Sequence, residues 1–238
     1  MEFYQGLTIL IVFSANIMEA ITGFAGTMLA MPATMRLIGI TDARIVLNIV
    51  ALFVSFSIAI SNRQAICWKE VKKISLIMLP GAAVGIILLA LAPLPWLSVL
   101  YGFLILFIAI KNLLVSQMPP IPSWALTLIV LFAGIIHGMF LSGGALLVLY
   151  ATSVLKEKGI IRATLAPVWL ILNLALLLQD ILEKNITASS LSLGIMCWPA
   201  VIFALYIGSK LHARISQQIF YKLTNLLLIL SGLSLLIG

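Results

Sequence analysis

Charge is what this chain has least of. Asp, Glu, Lys and Arg make up only 9% of its 238 residues, while 63% are hydrophobic and the mean hydropathy is +1.23. Soluble domains carry about 25% charged and roughly 45–50% apolar residues. There is too little polar surface here to cover a globule in water, and lipid is the expected solvent. Cysteine is scarce as well. Cys67 and Cys197 stand far apart, which excludes a disulfide-stapled scaffold. No Gly-Lys-Ser/Thr phosphate loop occurs, so nothing points to an ATPase motor. The apolar segments contain no clustered His, Cys or carboxylates, which disfavours a metal transporter and leaves no metal or cofactor to expect. The first residues, Met1-Glu2-Phe3-Tyr4-Gln5-Gly6, lack the positive n-region of a cleaved signal, so the first apolar segment is expected to stay in the mature protein.

What the chain does have is apolar length. Stretches run over 7–38, 43–60, 74–91, 96–110, 124–155, 160–178, 188–207 and 219–237. As single helices the first and fifth would reach about 48 Å at about 1.5 Å per residue, against a hydrocarbon core of about 30 Å. Each has glycines in its middle: Gly23-Phe24-Ala25-Gly26 in one, Gly138 and Gly143-Gly144 in the other. Glycine weakens a helix interior and permits positive φ, so each long stretch reads as two short helices joined by a break near the bilayer midplane. The competing reading is a continuous tilted helix with glycines for close packing.

The two broken stretches are related. A shift of 118 positions superposes Gly26 on Gly144, Ala33-Thr34 on Ala151-Thr152, Leu37 on Leu155 and Arg44 on Arg162 without a gap, and Pro80 and Pro199 follow at nearly the same offset. Charge then distinguishes the topologies. If all eight segments crossed, the 14 Lys and Arg would divide almost evenly between the two faces. If the first and fifth dip in and return, Arg36, Arg44 and Lys184 share the face of both termini, and all the other basic residues collect on the opposite face. The positive-inside rule favours the second arrangement. The expected fold is therefore an all-α polytopic membrane protein of two inverted repeats in one membrane domain, with both termini outside. Repeat 1–117 holds a re-entrant broken-helix hairpin (7–38) and transmembrane helices 43–60, 74–91 and 96–112. Repeat 118–238 holds a hairpin (124–155) and helices 160–179, 188–209 and 218–237. The same loop charges account for the net +7, so no nucleic-acid partner is expected.

Inverted repeats with broken helices place a substrate site at the repeat interface. A half-helix starting after each glycine turn would aim unpaired N–H groups and the positive end of its dipole at the membrane centre, where they favour an anion. The candidate binding residues are Gly23, Phe24, Ala25, Gly26 and Thr27 with Ser142, Gly143, Gly144 and Ala145, joined by Asn48 and Asn173 inside spans. Asn16 and Thr22 flank the first break. Glu19 and His137 are equivalent under the shift of 118 and lie one turn before the two breaks. Intramembrane ionisable groups are costly and usually functional, so this pair is a candidate for proton coupling or gating, or a structural hydrogen-bonded tie. Arg44 and Arg162 begin equivalent spans, where they steer anions at the mouths or snorkel to the interface. Pro80, Pro167 and Pro199 are expected to kink their spans. Trp68, Trp96 and Trp124 read as interfacial anchors, and Trp169 and Trp198 as core.

At the glycine breaks the sequence also resembles a known family. Gly23-Phe24-Ala25-Gly26-Thr27-Met28-Leu29-Ala30-Met31-Pro32 is similar to the first signature of the TauE/SafE sulfite exporter family. Gly138-Met139-Phe140-Leu141-Ser142-Gly143-Gly144-Ala145 looks like its second-half counterpart. The sequence departs from the pattern at Ala25 and Thr27, where the family is richer in glycine, and at Tyr150, which replaces the second proline. The likeness implies export of small sulfur-containing anions, such as sulfite, sulfonates or related organic acids, across a bacterial inner membrane. The implied partners are that anion and the lipid bilayer, and a homo-oligomer is compatible with both. Two other readings compete. A passive anion channel would give flux that does not saturate. An intramembrane hydrolase would use Ser142, but the leading glycine of a Gly-x-Ser-Gly turn is replaced here by Phe140, so no enzyme is expected.

Overall fold

The computed structural model describes residues 2–91 and 121–236 and, between them, residues 96, 99, 100, 102, 103, 106, 107, 109 and 110. Eight of the 17 residues of the span expected over 96–112 lie outside the described residues, as does the boundary between the halves at 117 and 118. The described elements are helical throughout. They are α1 (Glu2–Thr22), α2 (Ala25–Ile38), α3 (Ile40–Ser61), a single 3-10 turn (Arg63–Ala65), α4 (Trp68–Leu91), α5 (Ser123–Phe140), α6 (Gly144–Val154), α7 (Lys158–Leu182), α8 (Ala188–Met196), α9 (Trp198–Arg214) and α10 (Gln217–Leu236).

Both long apolar stretches break at their glycine turns. At Gly23 φ is +85°, a conformation that costs an L side chain roughly 1–2 kcal/mol, and α2 starts two residues later. At the second turn Leu141 takes the left-handed conformation (φ 54°) and its N–H still donates to the His137 carbonyl at 2.8 Å. The arms are unequal, unlike the two short helices expected. Helix α1 has 21 residues, about 31 Å, because the residues from Glu2 to Gly6, ahead of the apolar run, continue the helix, while α2 has 14. Arms of 18 and 11 residues form the second pair. Proline interrupts only once among its three span positions. Cys197 separates α8 from α9 just before Pro199, whereas α4 and α7 run on through Pro80 and Pro167.

Packing partners are exchanged between the halves. Helix α1 packs on α9, α4 on α5, and α3 on α7. Under the shift of 118, the first helix of each half thereby meets the third segment of the other. Helices α4 and α5 run parallel: Met78 lies against Gly134 and Ala82 against Gly138, so closely that a Cβ at Gly134 would fall 2.4 Å from the Met78 carbonyl oxygen. Helices α3 and α7 run antiparallel, with Asn48 at Asn173 (3.2 Å) and the Cys67 N–H at Thr164 Oγ1 (3.0 Å). Chain ends confirm that α2 folds back along α1, since Tyr4 and Gln5 share one surface cavity with Leu37, Ile38, Asp42 and Ser189. Helix α6 returns to the opposite end, where Tyr150 donates to Glu70 at 2.5 Å near the start of α4.

The surface is apolar, and polar side chains are set within an otherwise apolar interior. Leu76, Leu91, Phe107, Leu182 and Phe203 are exposed, whereas Asn16, Glu19, Asn48, His137, Thr164 and Asn173 are buried. Trp68, Trp96 and Trp124 are exposed, as interfacial anchors would be. Among the described residues six helical stretches are long and apolar enough to cross a membrane: α1, α3, α4, α5, α7, and α8 with α9 taken together. The chain is an all-α, multi-pass membrane protein.

Candidate functional site

The two breaks meet. Thr27 Oγ1, on the first turn of α2, donates to the Leu141 carbonyl in the second break at 2.5 Å. Gly144, at the start of α6, lies so close to Phe24 that a Cβ there would sit 2.7 Å from the Phe24 carbonyl oxygen. The two tips interleave, and a cavity opens beside the junction. Its lining includes Glu19, Phe24, Thr27, His137, Trp169 and Asn173. Ala51 and Trp169, which also line it, fall near the midpoints of α3 and α7, so the cavity lies at half the height of two span-length helices. Its free space is about 20 Å³, room for one water or one small polar group.

Each polar wall has an identifiable support. Trp169 Nε1 donates to the Gly23 carbonyl at 2.8 Å, which holds the first break open, and its ring stacks on His137 with centroids 5.2 Å apart. His137 Nε2 meets Asn173 Oδ1 at 3.1 Å. With that oxygen as acceptor, Nε2 carries the proton and Nδ1 is left as an acceptor. Nδ1 is buried without a hydrogen-bond partner among the described residues, as is Asn48 Oδ1. An unmet buried polar atom costs about 1–3 kcal/mol, so a guest that satisfies these atoms gains by doing so.

The residues expected at the site divide into three groups. Glu19, Phe24, Thr27, His137, Gly144 and Asn173 line the cavity. Gly23, Ala25, Gly26, Ser142, Gly143 and Ala145 shape the turns behind it. Ser142 Oγ donates to the Phe140 carbonyl, and the Gly26 N–H donates to Glu19 Oε2 at 2.5 Å. Asn48 reaches the Asn173 backbone from α3. Asn16 and Thr22 bond carbonyls of their own helix, those of Val12 and Met18. The arginines do not both stand at open mouths. Arg162 is 6% exposed, packs its Cα against Gly23 in the first break, and bonds Ser209 at 2.9 Å. Its charge acts on Glu19, and that of Arg44 acts on Asp180, Glu183 and His137. Each arginine therefore acts electrostatically on the ionisable group of the other half, Arg162 on Glu19 and Arg44 on His137. Trp169, Ala51 and Ser55 were not anticipated as lining residues. A helical face carries the signal: Asn48, Ala51 and Ser55 follow at i, i+3 and i+7, and Trp169 precedes Asn173 by four.

Among the described residues no group of three or more His, Cys, Asp or Glu is placed to hold a metal ion. No curated protein and no solved structure matches the chain. The model of the family described as sulfite exporter TauE/SafE matches residues 8–235. That covers nearly the whole of a chain whose two glycine breaks converge on a buried polar cavity, and the protein belongs to the sulfite exporter TauE/SafE family, a family of membrane anion transporters.

Proposed function

We propose that this protein is a secondary transporter that exports a small sulfur-containing anion, such as sulfite, a sulfonate or a related organic acid, across the bacterial inner membrane. The observation that carries the reading is the cavity where Phe24, Thr27 and Gly144 of the two breaks converge with His137, Trp169 and Asn173. The two halves act as inverted repeats, each with a re-entrant hairpin and three transmembrane helices, and both termini face outside. Exchanged packing partners and antiparallel α3 and α7 support this arrangement. Glu19 and His137 gate the site or couple it to protons, while Arg44 and Arg162 draw anions toward it. With the cytoplasm negative, each unit of negative charge moved outward gains about 2.3 kcal/mol per 100 mV, so export needs no nucleotide hydrolysis.

Flux from proteoliposomes loaded with sulfite or methanesulfonate tests the proposal. Saturable efflux that quickens when the anion-loaded side is made electrically negative is expected. Absence of saturable flux for every sulfur oxyanion and carboxylate tried would refute the substrate class, and linear, unsaturable flux would make the protein a channel.

A further inference from the structure

The amide of Gly26, the second residue of α2, is one of the N–H groups that a helix leaves unpaired at its start. In this protein it is already engaged. Glu19, at the end of α1, reaches across the break and accepts from it at 2.5 Å. A carboxylate thus occupies the position where the N–H groups and the positive end of the α2 dipole would hold an anionic guest. The approach requires glycine, because a Cβ at position 26 would lie 2.9 Å from both Cβ and Oε2 of Glu19.

Two buried groups near this contact each keep one polar atom without a hydrogen-bond partner among the described residues. His137, 2% exposed, lines the same cavity as Glu19, and its Nδ1 has no hydrogen-bond partner among the described residues. Arg162, 6% exposed, packs its side chain on Gly23, acts electrostatically on Glu19, and keeps a buried, unpartnered Nε. A third titratable group, His212 on α9, points Nδ1 at the Ile21 carbonyl, 2.7 Å away. The free space of about 20 Å³ is too small for a sulfonate beside the Glu19 carboxylate.

We propose that the Gly26 N–H is the seat of the substrate's anionic oxygen and that Glu19 holds it in the unloaded protein. Loading is then an exchange: the guest takes the Gly26 N–H, and Glu19 turns to the waiting Arg162 Nε. This inference rests on the anion-transport reading above and narrows it to small monoanions that present a terminal sulfonate or carboxylate oxygen.

Titration calorimetry of the full chain in detergent, with methanesulfonate as the probe, tests the exchange. Methanesulfonate keeps a constant charge across working pH, so its own titration does not intrude. Glu19→Gln removes the competing charge and is expected to tighten binding by about tenfold. Arg162→Gln is expected to weaken binding by a similar factor when Glu19 is present and to have little effect in the Glu19→Gln protein, a non-additivity that the double-mutant cycle reads directly. If Glu19→Gln does not fold, Glu19→Asp, whose shorter side chain draws the carboxylate off Gly26, carries the same expectation. Unchanged or weaker binding in the Glu19 variants, or additive effects of the two substitutions, overturns the exchange alone. A wild-type protein that binds neither methanesulfonate nor sulfite overturns the anion site and the exchange together.

Discussion

Tyr150 stands where the first repeat has Pro32, and the structure gives the substitution a role. Its hydroxyl donates to Glu70 at 2.5 Å, with both side chains buried, and its ring lies under the Lys73 ammonium, 5.4 Å from the ring centre. The bond clamps the short helix α6 to α4. Tyr150→Phe keeps the ring under Lys73 and strands the carboxylate, so a loss of about 1–3 kcal/mol is expected from thermal unfolding in detergent. Trp169→Phe is a milder test. The stack on His137 survives while the bond to the Gly23 carbonyl is lost, and the expected outcome is about 1 kcal/mol less stability with transport reduced more than folding, seen by comparing flux with gel-filtration yield. At Gly23 itself any side chain is strained. With φ at +85° and a Cβ 3.0 Å from the Arg162 Cα, Gly23→Ala is expected to cost at least about 1–2 kcal/mol in the same melting assay.

Helices α4 and α5 show what holds elements together where water does not drive apolar association. Gly81 and Gly85 face α5, and Gly134 and Gly138 face α4, each so close that an added Cβ would meet a carbonyl oxygen of the other helix within 2.5 Å. The contact is a backbone-to-backbone approach of the kind that small residues allow in lipid. Gly134→Val is expected to prise the pair apart, at about 1–3 kcal/mol or more, with loss of monodisperse protein on gel filtration. Gly6→Ala, with nothing within 4 Å of the added atom, serves as the neutral control. Elements of this kind were legible in the sequence because apolar length and glycine punctuation are local signals. The ends of α3, α7 and α10 fall within four residues of the apolar runs that predict them, whereas α4 begins six residues before its run, in the charged turn from Trp68 to Lys73. The length of α1 was not legible, since its first turn lies ahead of the apolar run and hydropathy stops where that run does. Nor was the burial of Arg162. A basic residue at the start of a span reads as an interfacial one, and only tertiary contact with Gly23 draws it inward.

For the molecule as a whole, the break residues and two residues across the cavity, His137 and Asn173, could be named from sequence, but three others in the lining were missed. Ala51, Ser55 and Trp169 enter the lining through the packing of α3 on α7; their helical spacing from Asn48 and Asn173 marks a common face, but the partner that the face meets is set by a long-range contact. Sidedness is testable with the native cysteines. Cys197 is buried and Cys67 half-buried near the start of α4, so an impermeant maleimide is expected to leave intact cells unlabelled and to label Cys67 in inverted vesicles. Labelling in intact cells would reverse the proposed orientation. The exchanged packing has a consequence for assembly. Because α1 is clothed by α9, and α5 by α4, a fragment ending near residue 117 would leave its leading helix with only its own hairpin partner and without the helix of the other half that covers it, and so would the remaining fragment. Synthesised separately, the two pieces should be degraded singly and accumulate only when co-expressed, as a functional heterodimer reconstituted from one severed gene.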